Sequence, residues 1–144
     1  MADLSITAAN VLPSDQASIS EGICGETITA GQAVYIDTAN NNVLKLAYNA
    51  GTLLQGTVAG IALNGGAAGQ VIRYVYQDPA LVLGCTMTVG DAIYLGGVAG
   101  GLTKTTTDLD TGEFCSIVGI CSVLNSAINM KIIRAGAART TDQA

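Results

Sequence analysis

Residues 28–37 (ITAGQAVYID) return as residues 87–96 (MTVGDAIYLG), and the residue-number offset between their glycines, Gly31 and Gly90, is 59. The same offset carries further short segments onto each other. They are 43–45 and 102–104, 56–61 and 115–120, and 70–72 and 129–131. The recurring features are apolar alternation and turn glycines rather than reactive side chains. The sequence therefore predicts one duplicated unit, with a structural role before a catalytic one.

Each copy predicts the same order of strands. Gly31 or Gly90 precedes an apolar run, since glycine readily takes a positive φ and branched or aromatic residues favour strands. Gly60 and Gly119 are the other predicted turn glycines. The predicted strands are 33–36, 43–46, 56–63 and 70–76 in the first copy, and 92–95, 102–106, 115–124 and 129–134 in the second.

The predicted fold is all-β. Turn residues recur about every 8–12 residues and no segment sustains a helical period, which is typical of an antiparallel barrel or sandwich. Residues 1–22 predict an extended N-terminal arm, because Pro13 interrupts any helix there. The β-rich domain spans 23–134, with repeats at about 28–76 and 87–134, and residues 135–144 form a flexible tail.

Charged residues are scarce. They make up 12% of the 144 residues, against about 25% in ordinary domains, while 49% of the chain is hydrophobic. So few charges would cover an ordinary monomer's surface poorly. We expect other subunits or a larger partner to bury much of that surface.

Composition also argues against two kinds of partner. Mean hydropathy is +0.45, yet no apolar run approaches the roughly 20 residues needed to span a bilayer. No basic residue precedes Lys45, so the basic region of a secretory signal is missing, and we expect synthesis in a cytoplasm. A net charge of −5 with scattered basic residues disfavours nucleic-acid binding.

The acidic excess lies entirely in the first third of the chain. Residues 1–44 contain five acidic and no basic residues, whereas residues 45–144 contain six of each. Two interpretations remain open: a solvated acidic lead-in, or an arm that docks on a basic surface of another subunit or protein.

No residue pattern predicts catalysis. The chain has no histidine, which removes the usual general base and the commonest metal ligand. Asp108, Asp110 and Glu113 form the densest acidic group, but a solvated turn explains them best, and a calcium loop needs more oxygen ligands. Residues 65–69 (GGAAG) lack the lysine of a phosphate loop. We predict no enzyme activity, no cofactor and no metal site.

The four cysteines, Cys24, Cys85, Cys115 and Cys121, include no Cys-x-x-Cys pair. Buried free thiols are therefore expected rather than a zinc or redox site. Tyr74 and Tyr76 project to one face of a predicted strand. They are either core residues or candidates for a subunit interface, where tyrosine is enriched.

The motifs at 29–35 and 88–94, with the Gly-Ile elements at 60–62 and 119–121, resemble those of tailed-phage capsid cement, or head decoration, proteins. The resemblance spans residues 23–134. It implies a small β-rich homotrimer on the outer surface of the expanded phage head, which braces contacts between major capsid subunits. It also implies that the chain has no catalytic residues. The protein would be made in the host bacterial cytoplasm and become part of the virion.

The resemblance further implies that the N-terminal arm contributes to the contact with the major capsid protein. The apolar candidates are Leu4, Ile6, Val11 and Leu12, and the steering charges are Asp3 and Asp15. An alternative is a receptor- or glycan-binding module of a head or tail fibre. That function favours exposed aromatics for sugar stacking, and the chain has five Tyr, one Phe and no Trp.

Overall fold

A computed structural model describes residues 4–104, 112–123, 127–129 and 137–139. These residues form two antiparallel sheets with little helix, which confirms the all-β prediction. The strands are β1 (Ser18–Ile23), β2 (Ala33–Asp37), β3 (Val43–Leu46), β4 (Gly60–Ala62), β5 (Val71–Gln77), β6 (Leu81–Val82), β7 (Ala92–Leu95), β8 (Leu102–Thr103), β9 (Phe114–Val123), β10 (Ala127–Asn129) and β11 (Ala137–Arg139). A short α1 (Leu53–Gly56) and a 3-10 turn at Ala8–Asn10 complete the elements.

The strands of the two sheets are arranged in the same order. The first sheet has the order β1-β5-β4-β2-β3, and the second has the order β6-β10-β9-β7-β8. In each, a hairpin (β2–β3 or β7–β8) adjoins the strand that follows it, β4 or β9. Strand β11 pairs with β9 outside this order.

Hydrogen bonds at the start of each hairpin also correspond. Gly31 N–H donates to the Ala62 carbonyl at 2.8 Å, and Gly90 N–H donates to the Cys121 carbonyl at 2.9 Å. Both glycines have a positive φ, +92° and +96°. The polar residue after each glycine accepts a bond from the backbone two residues before the glycine, Gln32 from Thr29 and Asp91 from Thr88. Side-chain capping and a left-handed glycine thus fix both turns.

Two apolar clusters form the interior. The first cluster takes Ala33, Tyr35, Ile61 and Val75 from the first sheet, so these residues pack against the second sheet. The second sheet contributes Ile93, Leu95, Leu102, Val118 and Cys121. The second cluster lies on the opposite face of the first sheet and contains Cys24, Ile28, Val34, Leu44, Ala62, Ile72 and Tyr74. The first sheet is therefore buried on both faces.

The segment after β1 helps to enclose the second cluster. Cys24 forms a parallel bridge with Leu44 of β3, and Gly25 N–H donates to the Leu44 carbonyl at 2.8 Å. A Cβ at Gly22 would lie 2.7 Å from Leu44 Cδ1. Glycine at this position lets the two strand ends approach closely.

The β2–β3 hairpin explains the asparagine run of the first copy. Asn41 and Asn42 both have a φ of 59°, a conformation that asparagine tolerates better than most residues. Asp37 accepts hydrogen bonds from the Ala39 N–H at 3.2 Å and from Asn40 Nδ2 at 2.7 Å. The asparagines therefore replace the glycines that serve the β7–β8 loop.

Several boundaries differ from the sequence-based prediction. Strand β1 begins inside the predicted arm, because Ser18–Ile23 pairs with β5, and β11 lies inside the predicted flexible tail. Gly60 and Gly119 lie within strands β4 and β9 rather than in turns. At Gly60, a Cβ would come within 2.4 Å of the Val75 carbonyl oxygen, so close approach of backbones explains this glycine.

The predicted strand at 129–134 overlaps β10 only at Asn129, and residues 130–134 lie outside the described residues. Residues 105 and 106 of the predicted strand 102–106 lie outside them as well. Among the residues that the structure describes, no helix is long and apolar enough to cross a membrane.

Candidate interaction surfaces

The N-terminal segment, residues 4–15, lies against the body of the same chain. Leu4 N–H donates to the Leu102 carbonyl at 2.6 Å, and Thr7 N–H donates to the Gly84 carbonyl at 3.3 Å. Leu12 and Val82 exchange two backbone bonds of 3.0 and 2.9 Å. The segment is thus joined by main-chain hydrogen bonds at three points along its length.

Side chains of this segment divide into buried and exposed groups. Val11 is 8% exposed and belongs to the first cluster. Leu4 and Ile6 are half-buried and pack against the same cluster. Leu12 is 63% exposed. In this conformation Val11 is unavailable to a partner, so its predicted contact role is replaced by a role in the core, whereas Leu12 remains accessible.

A buried carboxylate anchors the end of the segment. Asp78, which is fully buried, accepts hydrogen bonds from the Ser14 N–H at 2.8 Å and from the Ser14 hydroxyl. The same carboxylate accepts from the Ala80 N–H at 2.9 Å. Buried acceptors with several donors are costly to remove. Ser14 is therefore held in place immediately before the exposed Asp15.

The acidic residues of the first third are in different environments. Asp15 and Glu21 are exposed, and Asp3 lies outside the described residues. Asp37 is buried, and its carboxylate lies 3.2 Å from Lys45 Nζ. Glu26 accepts a hydrogen bond from the Leu46 N–H at 2.9 Å. Part of the acidic excess therefore holds the β2–β3 hairpin, and Asp15 and Glu21 remain exposed.

A groove of about 320 Å³ runs beside the N-terminal segment. Its walls are residues 4–8 of the segment, the turn at 29–32 and the loop at 98–102. Gly31 forms part of the floor, where a Cβ would lie 2.6 Å from Ile6 Cγ2. The repeat glycine thus serves both the turn and the seating of the N-terminal segment.

The tyrosines predicted as interface candidates are largely internal. Tyr74 is 8% exposed and belongs to the second cluster, and Tyr76 is half-buried against the same cluster. Both side chains have little accessible area, and core packing explains why a tyrosine occupies position 74. The core interpretation is the one that this geometry favours.

The outer face of the second sheet, defined by Ala92, Tyr94, Ile117 and Ile120, is the surface that sequence reasoning missed. Ala92 pairs with Ile120, and Tyr94 pairs with Ile117. Ile117 and Ile120 are 40% and 38% exposed, and Ala92 and Tyr94 are partly exposed. The offset of 59 shows which first-copy residues correspond to this face, but it does not show which of the two faces is exposed.

The four cysteines are free thiols. Burial raises the pKa of Cys24, Cys85 and Cys115, so these thiols are less reactive at neutral pH than an exposed cysteine. Within the described ranges, no group of three or more Cys, Asp or Glu side chains could hold a metal ion. Asp108 and Asp110 lie outside those ranges.

Comparisons with protein-family models, with curated proteins and with solved structures found no match.

Proposed function

We propose that this chain is a structural virion protein, a capsid cement or decoration protein of a tailed phage. It is made in the host cytoplasm and binds the outer surface of the expanded head as a homotrimer. There it stabilises contacts between subunits of the major capsid protein. The repeat motifs at Gly31 and Gly90 carry the resemblance on which this proposal rests.

The surface chemistry is the structural observation that supports the proposal most directly. Large apolar side chains are more than one third exposed although only 12% of residues are charged. They are Leu12, Ile23, Leu53, Leu54, Val71, Val89, Val98, Ile117 and Ile120. Where such side chains adjoin one another, as Ile117 and Ile120 do on strand β9, they form the kind of surface that binds other proteins. A capsid and neighbouring copies of the chain together supply such partners.

The two sheets support the proposed duplication. They share one strand order and equivalent turn hydrogen bonds at Gly31 and Gly90. We infer that the architecture is a sandwich of two repeated β units, with the first cluster between them. A rigid scaffold of this kind suits a protein that must resist mechanical load rather than move.

Selective binding is the proposed mechanism of stabilisation. A ligand that binds only the expanded lattice lowers the free energy of that state by mass action. Three linked copies raise the effective concentration of each contact, so modest single-site affinities combine into near-permanent attachment. No covalent chemistry is required.

Within the N-terminal segment, Leu12 is the best-placed apolar contact, with Asp15 beside it as a steering charge. Leu12 is 63% exposed while its backbone is held by Val82. A fixed backbone presents the side chain at little entropic cost on binding. Leu4 and Ile6 contribute the area left exposed beside the groove.

Co-sedimentation with purified phage heads tests the proposal. The wild-type protein is expected to pellet with mature, expanded heads and to remain in the supernatant with immature heads. Leu12→Asp should weaken head binding by about tenfold or more, the range for a contact residue at an interface. Ala68→Asp is the control, since Ala68 is also exposed and lies in the loop between β4 and β5.

Two results would contradict these assignments. If the wild-type protein does not co-sediment with mature heads, the cement function is overturned. Normal head binding by a correctly folded Leu12→Asp variant would overturn the role of the N-terminal segment alone.

The glycan-binding alternative receives less support from the structure. Sugar stacking needs accessible aromatic faces, but Tyr35 and Tyr74 are only 5% and 8% exposed, and Tyr48, Tyr76 and Tyr94 are each half-buried. We therefore favour the cement function.

A further inference from the structure

The outer face of the second sheet is related, residue by residue, to a buried surface of the same chain. At the offset of 59, Tyr94 corresponds to Tyr35, and Ile120 corresponds to Ile61. Tyr35 and Ile61 are 5% and 0% exposed, and both belong to the first cluster. Both copies thus carry an equivalent apolar face. The other sheet covers this face in the first copy, where it includes Tyr35 and Ile61, but not in the second copy.

The two remaining positions follow the same rule. Ala92 corresponds to Ala33, which is fully buried, and Ile117 corresponds to Val58, which packs against the first cluster. Strand pairing is also equivalent, because Ala33 pairs with Ile61 as Ala92 pairs with Ile120. The outer face therefore has the composition and the geometry of a surface that this fold normally covers.

Among the residues that the structure describes, the surfaces that could cover it are already occupied. The inner side of the second sheet, which carries Ile93 and Cys121, packs in the first cluster. The far side of the first sheet encloses the second cluster, whose Val34 and Ile72 are fully buried. Both sides of the first sheet and the inner side of the second are thus used in the fold, so we look for the occupant of the outer face in another molecule.

Charge favours a second copy of this chain as that occupant. The outer face carries no charged side chain, and at its margin Asp91 lies 3.8 Å from Lys104 Nζ, which offsets its charge. Residues 45–144, which include the second sheet, contain equal numbers of acidic and basic residues. Like faces of two copies can therefore meet without like-charge repulsion.

We propose that the outer face of the second sheet is the self-association surface, and that the outer faces of neighbouring copies meet around a common symmetry axis. Ile117 and Ile120 are the apolar anchors of this contact, and Tyr94 adds a large amphipathic side chain of the kind enriched at interfaces. The proposal concerns self-association alone and is independent of what the assembled protein binds.

Light scattering on a dilution series of the full chain tests the proposal. Wild-type protein should have a mass that is a multiple of 14.5 kDa. Ile117→Asp and Ile120→Asp should each weaken self-association by roughly thirtyfold or more, as expected for a central interface residue. Ala68→Asp is the control, because Ala68 is exposed in the loop between β4 and β5 of the first sheet.

A folding defect must be separated from dissociation. Ile117→Thr and Ile120→Thr retain a β-branched side chain and the strand propensity that comes with it. The double variant should keep the far-ultraviolet circular dichroism of the wild type and yet dissociate on dilution.

Two outcomes would overturn the proposal. One is wild-type protein that stays monomeric at every concentration. The other is an oligomer that the Ile117 and Ile120 variants leave intact. If the wild type is monomeric and folded Ile117→Asp loses binding to heads, the capsid protein occupies the outer face. In that case the cement function survives and the self-association surface does not.

Discussion

At the residue scale, the two turn glycines show how one sequence feature acquires different roles. Gly31 and Gly90 both adopt a left-handed conformation, with φ of +92° and +96°. A Cβ at Gly31 would lie 2.6 Å from Ile6 Cγ2, whereas a Cβ at Gly90 would meet no atom within 4 Å. The backbone requirement is shared, and the packing requirement belongs to the first copy alone.

Substituting each glycine by alanine separates these two requirements. Gly90→Ala should lower the free energy of unfolding by about 1–2 kcal/mol through backbone strain alone. Gly31→Ala should cost roughly 1 kcal/mol more, because the new methyl group displaces Ile6. Urea denaturation measures both values. Equal losses in the two variants would mean that the N-terminal segment does not press on the turn.

Asp37 predicts a pH dependence of stability. The hydrogen bond from the Asn40 side chain lowers the pKa of Asp37, with burial opposing this effect and Lys45 adding to it. A carboxyl group whose pKa is lower in the folded state stabilises the fold above its unfolded pKa, and that contribution disappears as the pH falls through the folded pKa.

The Asp37→Asn variant tests this dependence. Wild type should be more stable than the variant at about pH 7, and the difference should shrink as the pH falls below about 3.9, the ordinary aspartate value, and approaches the lowered pKa of Asp37 in the folded state. Denaturant titrations at several pH values provide the measurement. A difference that stays constant over this range would show that Asp37 acts through its shape and hydrogen bonds rather than its charge.

At the element scale, the N-terminal segment is part of the fold rather than a free arm. Backbone bonds join it to residues near β6 and β8, and Asp78 holds Ser14. Val11 points into the first cluster, while its neighbour Leu12 points to solvent. Alternation along an extended segment thus gives one side chain to the core and the next to the surface.

Aspartate at these two neighbouring positions tests that arrangement. Val11→Asp should lower the free energy of unfolding by about 3 kcal/mol or more, since it buries an unpaired charge. Leu12→Asp should change stability by no more than about 0.5 kcal/mol, the usual range for exposed sites. Thermal and urea unfolding report both values. If Val11→Asp is as stable as wild type, the segment is detached in solution.

At the scale of the whole molecule, the two sheets differ in which of their faces is buried. The two sheets have one strand order, but packing one sheet on the other covers equivalent surfaces only once. Ile61 is fully buried, and its counterpart Ile120 is 38% exposed. Packing of the two sheets therefore leaves one apolar face exposed. The chain has few charged residues that could make this face polar. Self-association is the response that we infer.

Much of the β architecture was predictable from local sequence. Strands β3 and β7 match the predicted ranges, β2 extends one residue beyond its predicted range, and β5 is shifted by one residue. Turn glycines and branched residues act through local sterics, so their effect can be read from the residues alone. Strands β1 and β11 were missed, because pairing with a distant strand rather than local propensity forms them.

By itself, the sequence determined the strand periodicity, the equivalent turns at Gly31 and Gly90 and the scarcity of charge, since all three depend on residue type and spacing. Tertiary structure alone decided which copy of each apolar face was buried. It placed Val11 and Tyr74 in the interior and left Ile117 and Ile120 accessible. The reason is geometric: burial depends on which surface packs against which, and two sheets that carry equivalent residues cannot both be covered by a single contact between them.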